Sequence, residues 1–123
     1  MKLSLSSSAN LNTVTAQGPG YVDINRQRHT ASLVLMPDRI LESWGTAGFD
    51  GLTEADFTAV ADLKPELVLL GTGARQRFPA PRLLRPLIEA GVGCEVMDLA
   101  AACRTYTILV AEGRRVAAAL LIE

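Results

Sequence analysis

The chain has 123 residues, of which 49% are hydrophobic, and its 12 basic and 13 acidic side chains leave a formal net charge of −1. This length is enough for one domain with a substantial hydrophobic core. The charge gives no field that would draw the chain to nucleic acid, and no apolar run reaches the ~18 residues of a membrane-spanning helix, so we expect a soluble cytoplasmic protein without nucleic-acid binding or membrane insertion.

The first half of the chain predicts an antiparallel β meander. Residues 1–10 are Ser-rich and lack an apolar stretch, which predicts a disordered terminus without a targeting leader, followed by one α/β domain over residues 11–123. A polar break at residues 25–28 interrupts the meander, and Pro37 ends its third strand. The alternation of apolar and polar residues places the predicted strands at Leu11–Ala16, Tyr21–Ile24, His29–Met36 and Ile40–Trp44.

The second half alternates helices with buried strands, which predicts a βαβ unit and a mostly parallel sheet. The predicted strands are Glu66–Leu70, Val92–Met97 and Arg114–Ile122, and the predicted helices are Glu54–Leu63, a segment carrying Leu83, Leu84, Leu87 and Ile88, and Leu99–Ala111. Pro86 would cost ~3 kcal/mol inside a helix, so the second helix either begins near Arg85 or is kinked. The three alanines of the last segment also fit a helix, but the turn at Gly113 and the following aliphatic residues favour a strand.

The sequence Gly71-Thr72-Gly73 at the end of a buried strand is the first candidate site. Ligands of open parallel sheets bind beyond the carboxyl ends of the strands, so this loop and Asp98, after the next strand, should open on the same edge. Glycines admit a ligand close to the backbone, and Arg75 and Arg77 follow, which together predict a small-anion site. The alternatives are a tight strand exit, arginines on a solvated face, and Asp98 as a helix cap.

Arg104, Thr105 and Tyr106 lie halfway along a predicted helix and could extend this site. Alternatively, Tyr106 packs its ring in the core while Arg104 pairs with a carboxylate such as Asp98 or Glu112. An enzyme that uses Arg104, Tyr106 and Asp98 is the least favoured hypothesis, because no Ser/His/Asp set or close pair of acids can be assembled from local spacing.

Cys94 and Cys103 are the only thiols and His29 is the only imidazole. Two cysteines nine residues apart match no zinc-binding spacing, so we expect buried free thiols, no metal and no cofactor. A Cys/His nucleophilic pair would require His29 to lie beside one of them.

Four segments resemble the successive motifs of one small family. They are 69–73 (LLGTG), 91–97 (GVGCEVM), 101–106 (AACRTY) and 111–120 (AEGRRVAAAL). The family is a domain of unknown function that includes bacterial and archaeal hypothetical proteins, mitochondrial complex I assembly factor 3 and the adipogenesis-associated domain protein. The resemblance covers nearly the whole chain after residue 10.

The resemblance implies an α/β fold of three layers: an antiparallel β meander, a central mostly parallel sheet and α-helices. It also implies a protein-interaction or assembly module with protein partners, and the meander edge could support a homodimer. The alternative function is a small-anion or metabolite binder that uses Gly71–Gly73 and Arg104. Leu99 and Thr107 replace the Thr and Asn usual in the family.

Overall fold

Two β-sheets and three α-helices make up residues 10–123, the part of the chain that this computed structural model describes. The strands are β1 (Val14–Gly18), β2 (Tyr21–Ile24), β3 (Gln27–His29), β4 (Leu33–Met36), β5 (Arg39–Leu41), β6 (Leu67–Gly71), β7 (Gly93–Met97) and β8 (Val116–Leu120). The helices are α1 (Glu54–Ala61), α2 (Arg85–Glu89) and α3 (Leu99–Ala111), with 3-10 turns at Phe49–Gly51 and Pro81–Leu84. The disorder predicted for residues 1–10 concerns positions that, apart from Asn10, lie outside the described residues.

The two sheets confirm the predicted α/β class. Strands β1, β2 and β3 form an antiparallel meander in that order. The central sheet has the order β5-β4-β8-β6-β7, in which β6 runs parallel to β7 and β8, and β4 runs antiparallel to β5 and β8.

The predicted single strand His29–Met36 was wrong, because the chain changes sheets within it. Asn25 and Arg26 both have a left-handed backbone, with φ of 54° and 69°, and they form the two-residue turn that joins β2 to β3. The chain then bends at residues 30–32, where the Ser32 hydroxyl accepts a 2.9 Å hydrogen bond from the Ile122 amide, and β4 enters the central sheet. The first half of the polar break, Asn25 and Arg26, is thus a hairpin turn without the usual glycine, and the second half begins β3.

The helices lie on opposite faces of the central sheet because the chain reverses direction across it. The connection from β6 to β7 leads toward the edge of the sheet, whereas the connection from β7 to β8 leads back across β6 toward the centre. Since both crossovers are right-handed, these opposite directions place α2 and α3 on opposite faces of the sheet. Accordingly, α1 and α2 share one core with Trp44, whereas α3 shares the other with residues of the meander. The meander and α3 therefore form one layer together.

Two local alternatives left open by the sequence are settled. Pro86 lies in the first turn of α2, which begins at Arg85 after the 3-10 turn. The alanine-rich segment is strand β8, and Ala117–Ala119 are completely buried in the middle of the central sheet. The small side chain of Ala118 allows α3 to pack closely on one face of this strand.

Candidate functional site

Thr72 and Asp98 lie at the same edge of the central sheet, as predicted. The Thr72 amide donates a 2.9 Å hydrogen bond to the Met97 carbonyl, and the Leu99 amide donates a 2.8 Å bond to the Gly73 carbonyl. Because α2 and α3 leave β6 and β7 toward opposite faces, this edge is the point where the winding of the sheet reverses.

The backbone and packing of the loop explain why Gly71 and Gly73 are glycines. A Cβ atom at Gly71 would lie 2.9 Å from the Ala102 Cβ, so glycine allows α3 to pack directly on β6. Gly73 has φ +84°, a left-handed conformation that side chains rarely adopt. The glycines are therefore explained by packing and by a tight strand exit.

The polar groups of Thr72 and Arg77 already have hydrogen-bond partners, most of them in the loop itself. The buried Thr72 hydroxyl donates to the Arg75 carbonyl at 2.7 Å and accepts from the Arg77 amide at 3.0 Å. The Arg77 guanidinium donates to the Thr72 carbonyl at 2.8 Å and to a Glu123 carboxylate oxygen at 3.0 Å, while it stacks on the Phe49 ring. Arg75 is exposed on the same loop.

Asp98 caps helix α3. Its Oδ1 accepts a 2.8 Å hydrogen bond from the Ala101 amide. A cavity of about 250 Å³ opens beside it, lined by Gln17, Gly18, Pro19, Gly20, Gly73, Ala74, Asp98, Leu99, Ala100 and Glu123. The charged members of this lining are the carboxylates of Asp98, which caps α3, and Glu123, which pairs with Arg77, so the lining itself supplies no cation for an anion.

Arg104 lies in a different cavity, a groove of about 410 Å³ between β1 and α3. The groove is lined by Val14, Thr15, Ala16, Gln17, Ala100, Cys103, Arg104, Thr107 and Ile108. The Arg104 side chain is exposed and makes no ion pair or hydrogen bond within residues 10–123, so the predicted pairing with Asp98 or Glu112 does not form. Ile108 is 58% exposed at the same groove.

Tyr106 points the other way, into the core, as one of the two sequence interpretations predicted. Its ring is buried and its hydroxyl donates a 2.8 Å hydrogen bond to the Asn12 carbonyl. Burial raises the pKa of Tyr106 well above its usual value. Thr105 is half-buried between Arg104 and Tyr106.

The three side chains of the enzyme hypothesis are not brought together. Arg104, Tyr106 and Asp98 line three different cavities. Cys103 is buried and Cys94 is half-buried, and both are free thiols. Within the described ranges, no three His, Cys, Asp or Glu side chains form a metal-binding group.

Sequence reasoning missed the groove between β1 and α3. Its walls come from residues 14–17 and 100–108, which are far apart in sequence. One signal was available: Ile108 adds an apolar residue outside the helical face that carries Leu99, Cys103, Tyr106 and Val110.

Comparison with known proteins identifies the family. The sequence model of one protein family, described as a protein of unknown function (DUF498/DUF598), matches residues 14–121. The chain belongs to this family. The resemblance drawn from the sequence motifs is thereby confirmed.

Relatives of this chain carry different names. NADH dehydrogenase [ubiquinone] 1 alpha subcomplex assembly factor 3 of Bos taurus is 34% identical over 83% of this chain, which spans only 55% of that relative. An uncharacterised protein of Rhodobacter capsulatus is 38% identical, with 88% of this chain and 82% of the relative covered. The 13 kDa major membrane protein of Francisella tularensis is 25% identical, with 80% of each chain covered.

A solved structure has the same fold. The crystal structure of a Bordetella parapertussis protein superposes with a TM-score of 0.85 at 45% identity, and the match covers 92% of this chain and 97% of the other.

None of the helices described for this chain combines the length and apolarity needed to cross a bilayer.

Proposed function

We propose that this member of DUF498/DUF598 is a non-catalytic protein-interaction module that helps to assemble a larger protein complex. The groove between β1 and α3 carries this proposal, because it combines an exposed Ile108 with an Arg104 that has no ion pair within the described part of the chain. The relative named as an assembly factor gives independent support.

The chemistry of the groove defines the partner segment. Val14, Ala16 and Ala100 give the groove apolar walls, and Arg104 places one cation among them. A carboxylate next to an apolar side chain would satisfy both features, since a guanidinium binds a carboxylate with directed hydrogen bonds. We therefore propose a partner segment that inserts an apolar residue beside Ile108 and pairs an Asp or Glu with Arg104.

Photo-crosslinking in living cells tests this function. A photoreactive residue at position 108 should yield a discrete adduct, whereas the same residue at exposed Ala55 on α1, on the other face of the sheet, should not. Arg104→Glu should abolish the adduct and lower the amount of the assembled complex that contains the partner. Arg82→Glu is the matched control, because it makes the same charge change at another exposed arginine.

Two results would reject the proposal. One is the absence of an adduct at position 108 in cells that produce the folded protein. The other is an adduct that Arg104→Glu leaves unchanged, or whose partner belongs to no complex that depends on this chain.

The alternative function is binding of a small anion or metabolite by Gly71, Thr72, Gly73, Arg75, Arg77 and Arg104. The unpaired guanidinium of Arg104 favours this alternative, although Arg104 and Gly73 line separate cavities. Inorganic phosphate and AMP should then raise the melting temperature of the protein, and Arg104→Glu should remove that shift. An unchanged melting temperature across both compounds would reject the alternative.

The remaining predictions about location and oligomeric state stay predictions. A cytoplasmic location and a homodimer through the meander edge were inferred from the sequence. Cell fractionation and analytical ultracentrifugation test them directly.

A further inference from the structure

Strand β7 forms an open edge of the central sheet. It is the last strand in the order β5-β4-β8-β6-β7, so within the described residues no other strand pairs with its outer side. The outer side of an edge strand presents unpaired amide and carbonyl groups. Gly93–Met97 contains no Lys or Pro, and Glu95 at its centre is the one charged side chain that protects this edge against unspecific pairing.

One side chain reaches this edge from outside. The Gln76 side-chain amide donates a 2.9 Å hydrogen bond to the Val96 carbonyl. Because the Met97 carbonyl accepts the Thr72 amide on the β6 side, and successive carbonyls of a strand point in opposite directions, the Val96 carbonyl faces outward. Gln76 thus occupies the place where the amide of an added strand would bind.

Exposed apolar side chains lie on the segments that flank β7. Phe78 and Ile88 are 71% and 69% exposed, which makes them prominent among the described large apolar residues. Phe78 follows Gln76 by two positions, and Ile88 follows Leu87, whose carbonyl accepts the amide of Val92 just before β7. Exposed apolar residues on segments that contact an open edge strand can add apolar contacts to an extended segment bound there.

We infer that β7 binds an extended segment of a partner protein as a sixth strand, with a Lys or Arg of that segment next to Glu95. The Glu95 side chain is exposed and has no ion pair or hydrogen bond in the described part of the chain. The inference rests on the proposed function, because it names a second surface through which an interaction module would hold its partner.

The same carboxylate argues against a second copy of this chain as the occupant. Two copies of β7 related by a two-fold axis overlap along their full length only when the central residue of each strand, Glu95, lies opposite its own copy. Like charges directly opposite each other destabilise a strand pair. A basic partner segment has no such penalty.

NMR titration of the full chain with two synthetic peptides tests the inference. The peptides are STVKVTS and its acidic counterpart STVEVTS. We expect STVKVTS to shift the amide signals of Cys94–Val96 and to bind about threefold more tightly than STVEVTS, as one opposite-charge pair across strands allows. Glu95→Lys should reverse the preference between the peptides, and Gln76→Ala should strengthen the binding of both.

The possible failures are distinguishable. Absence of shifts at β7 with either peptide, or an unchanged preference in Glu95→Lys, would overturn the inference, as would concentration-dependent dimerisation that protects the β7 amides. Arg104→Glu should leave peptide binding at β7 intact. The crosslinking experiment can therefore reject the proposed role of the groove between β1 and α3 while the NMR titration still supports binding at β7.

Discussion

The Tyr106 hydroxyl donates a 2.8 Å hydrogen bond to the backbone carbonyl of Asn12, a residue 94 positions earlier in the chain. This bond joins the middle of α3 to the segment that leads into β1, and these two elements form the walls of the groove that contains Arg104. The ring of Tyr106 is buried beneath the same contact.

Tyr106→Phe should lower the free energy of unfolding by about 1–2 kcal/mol, because the ring remains while the carbonyl of Asn12 loses its partner. Urea denaturation monitored by circular dichroism measures the loss. Tyr21→Phe is the matched control, since no hydrogen bond from the Tyr21 hydroxyl is seen within the described residues and its ring contact with Arg28 stays. Equal losses in the two variants would contradict the proposed role of the Tyr106 hydroxyl.

Gly71→Ala should destabilise the fold by about 1–3 kcal/mol, because the new methyl group would overlap Ala102 at the contact between β6 and α3. Gly93→Ala is the control, since its methyl group would meet only the Leu67 side chain at an ordinary 3.4 Å. Differential scanning calorimetry should therefore show a clear drop in melting temperature for the first variant and a small change for the second. Similar melting temperatures would show that α3 moves to accommodate the methyl group.

Asp98→Ala should cost about 1 kcal/mol of stability, whereas Asp98→Asn should cost only a few tenths, because asparagine also accepts the hydrogen bond from the Ala101 amide. Chemical denaturation of the two variants measures this difference. Asparagine would lack the proton-accepting ability of a catalytic base, so a variant that is stable but inactive in complementation would contradict a purely structural role.

Periodicity and aliphatic content predicted the central sheet and its helices well, because each of these elements is specified by neighbouring residues. Helix Leu99–Ala111 was predicted at its observed bounds, and β2 likewise. The split between β3 and β4 was not predictable, since an apolar run does not reveal that its two ends belong to different sheets.

The candidate site was harder to predict than the fold. Arg75 and Arg77 look alike in the sequence, yet only Arg77 folds back onto the Thr72 carbonyl and Glu123. That difference depends on contacts between distant segments. The shared edge of Thr72 and Asp98 was predictable because the topology of parallel strands requires it, whereas the use of their polar groups within the fold was not.

Burial of the two thiols should make stability fall at alkaline pH. Burial raises the pKa of Cys103 from 9.0 to about 11, although the neighbouring Arg104 guanidinium opposes the shift, and Cys94 shifts to the same value. A folded-state pKa above the unfolded one stabilises the protein fully below about pH 9, and this contribution is lost as the pH rises toward 11. At pH 10 we expect Cys103 to account for roughly 1 kcal/mol of lost stability.

Urea denaturation at pH 7.5 and pH 10 measures this loss, and Cys103→Ala should lose less stability between the two pH values than the unsubstituted chain does. Tyr106 remains in both proteins, so its own ionisation cancels in the comparison. Iodoacetamide at pH 8 should accordingly alkylate Cys103 slowly in the native protein and rapidly in urea, because only the thiolate reacts. Rapid native alkylation of Cys103, or an identical pH dependence in Cys103→Ala, would mean that the thiol is open to water through the groove between β1 and α3.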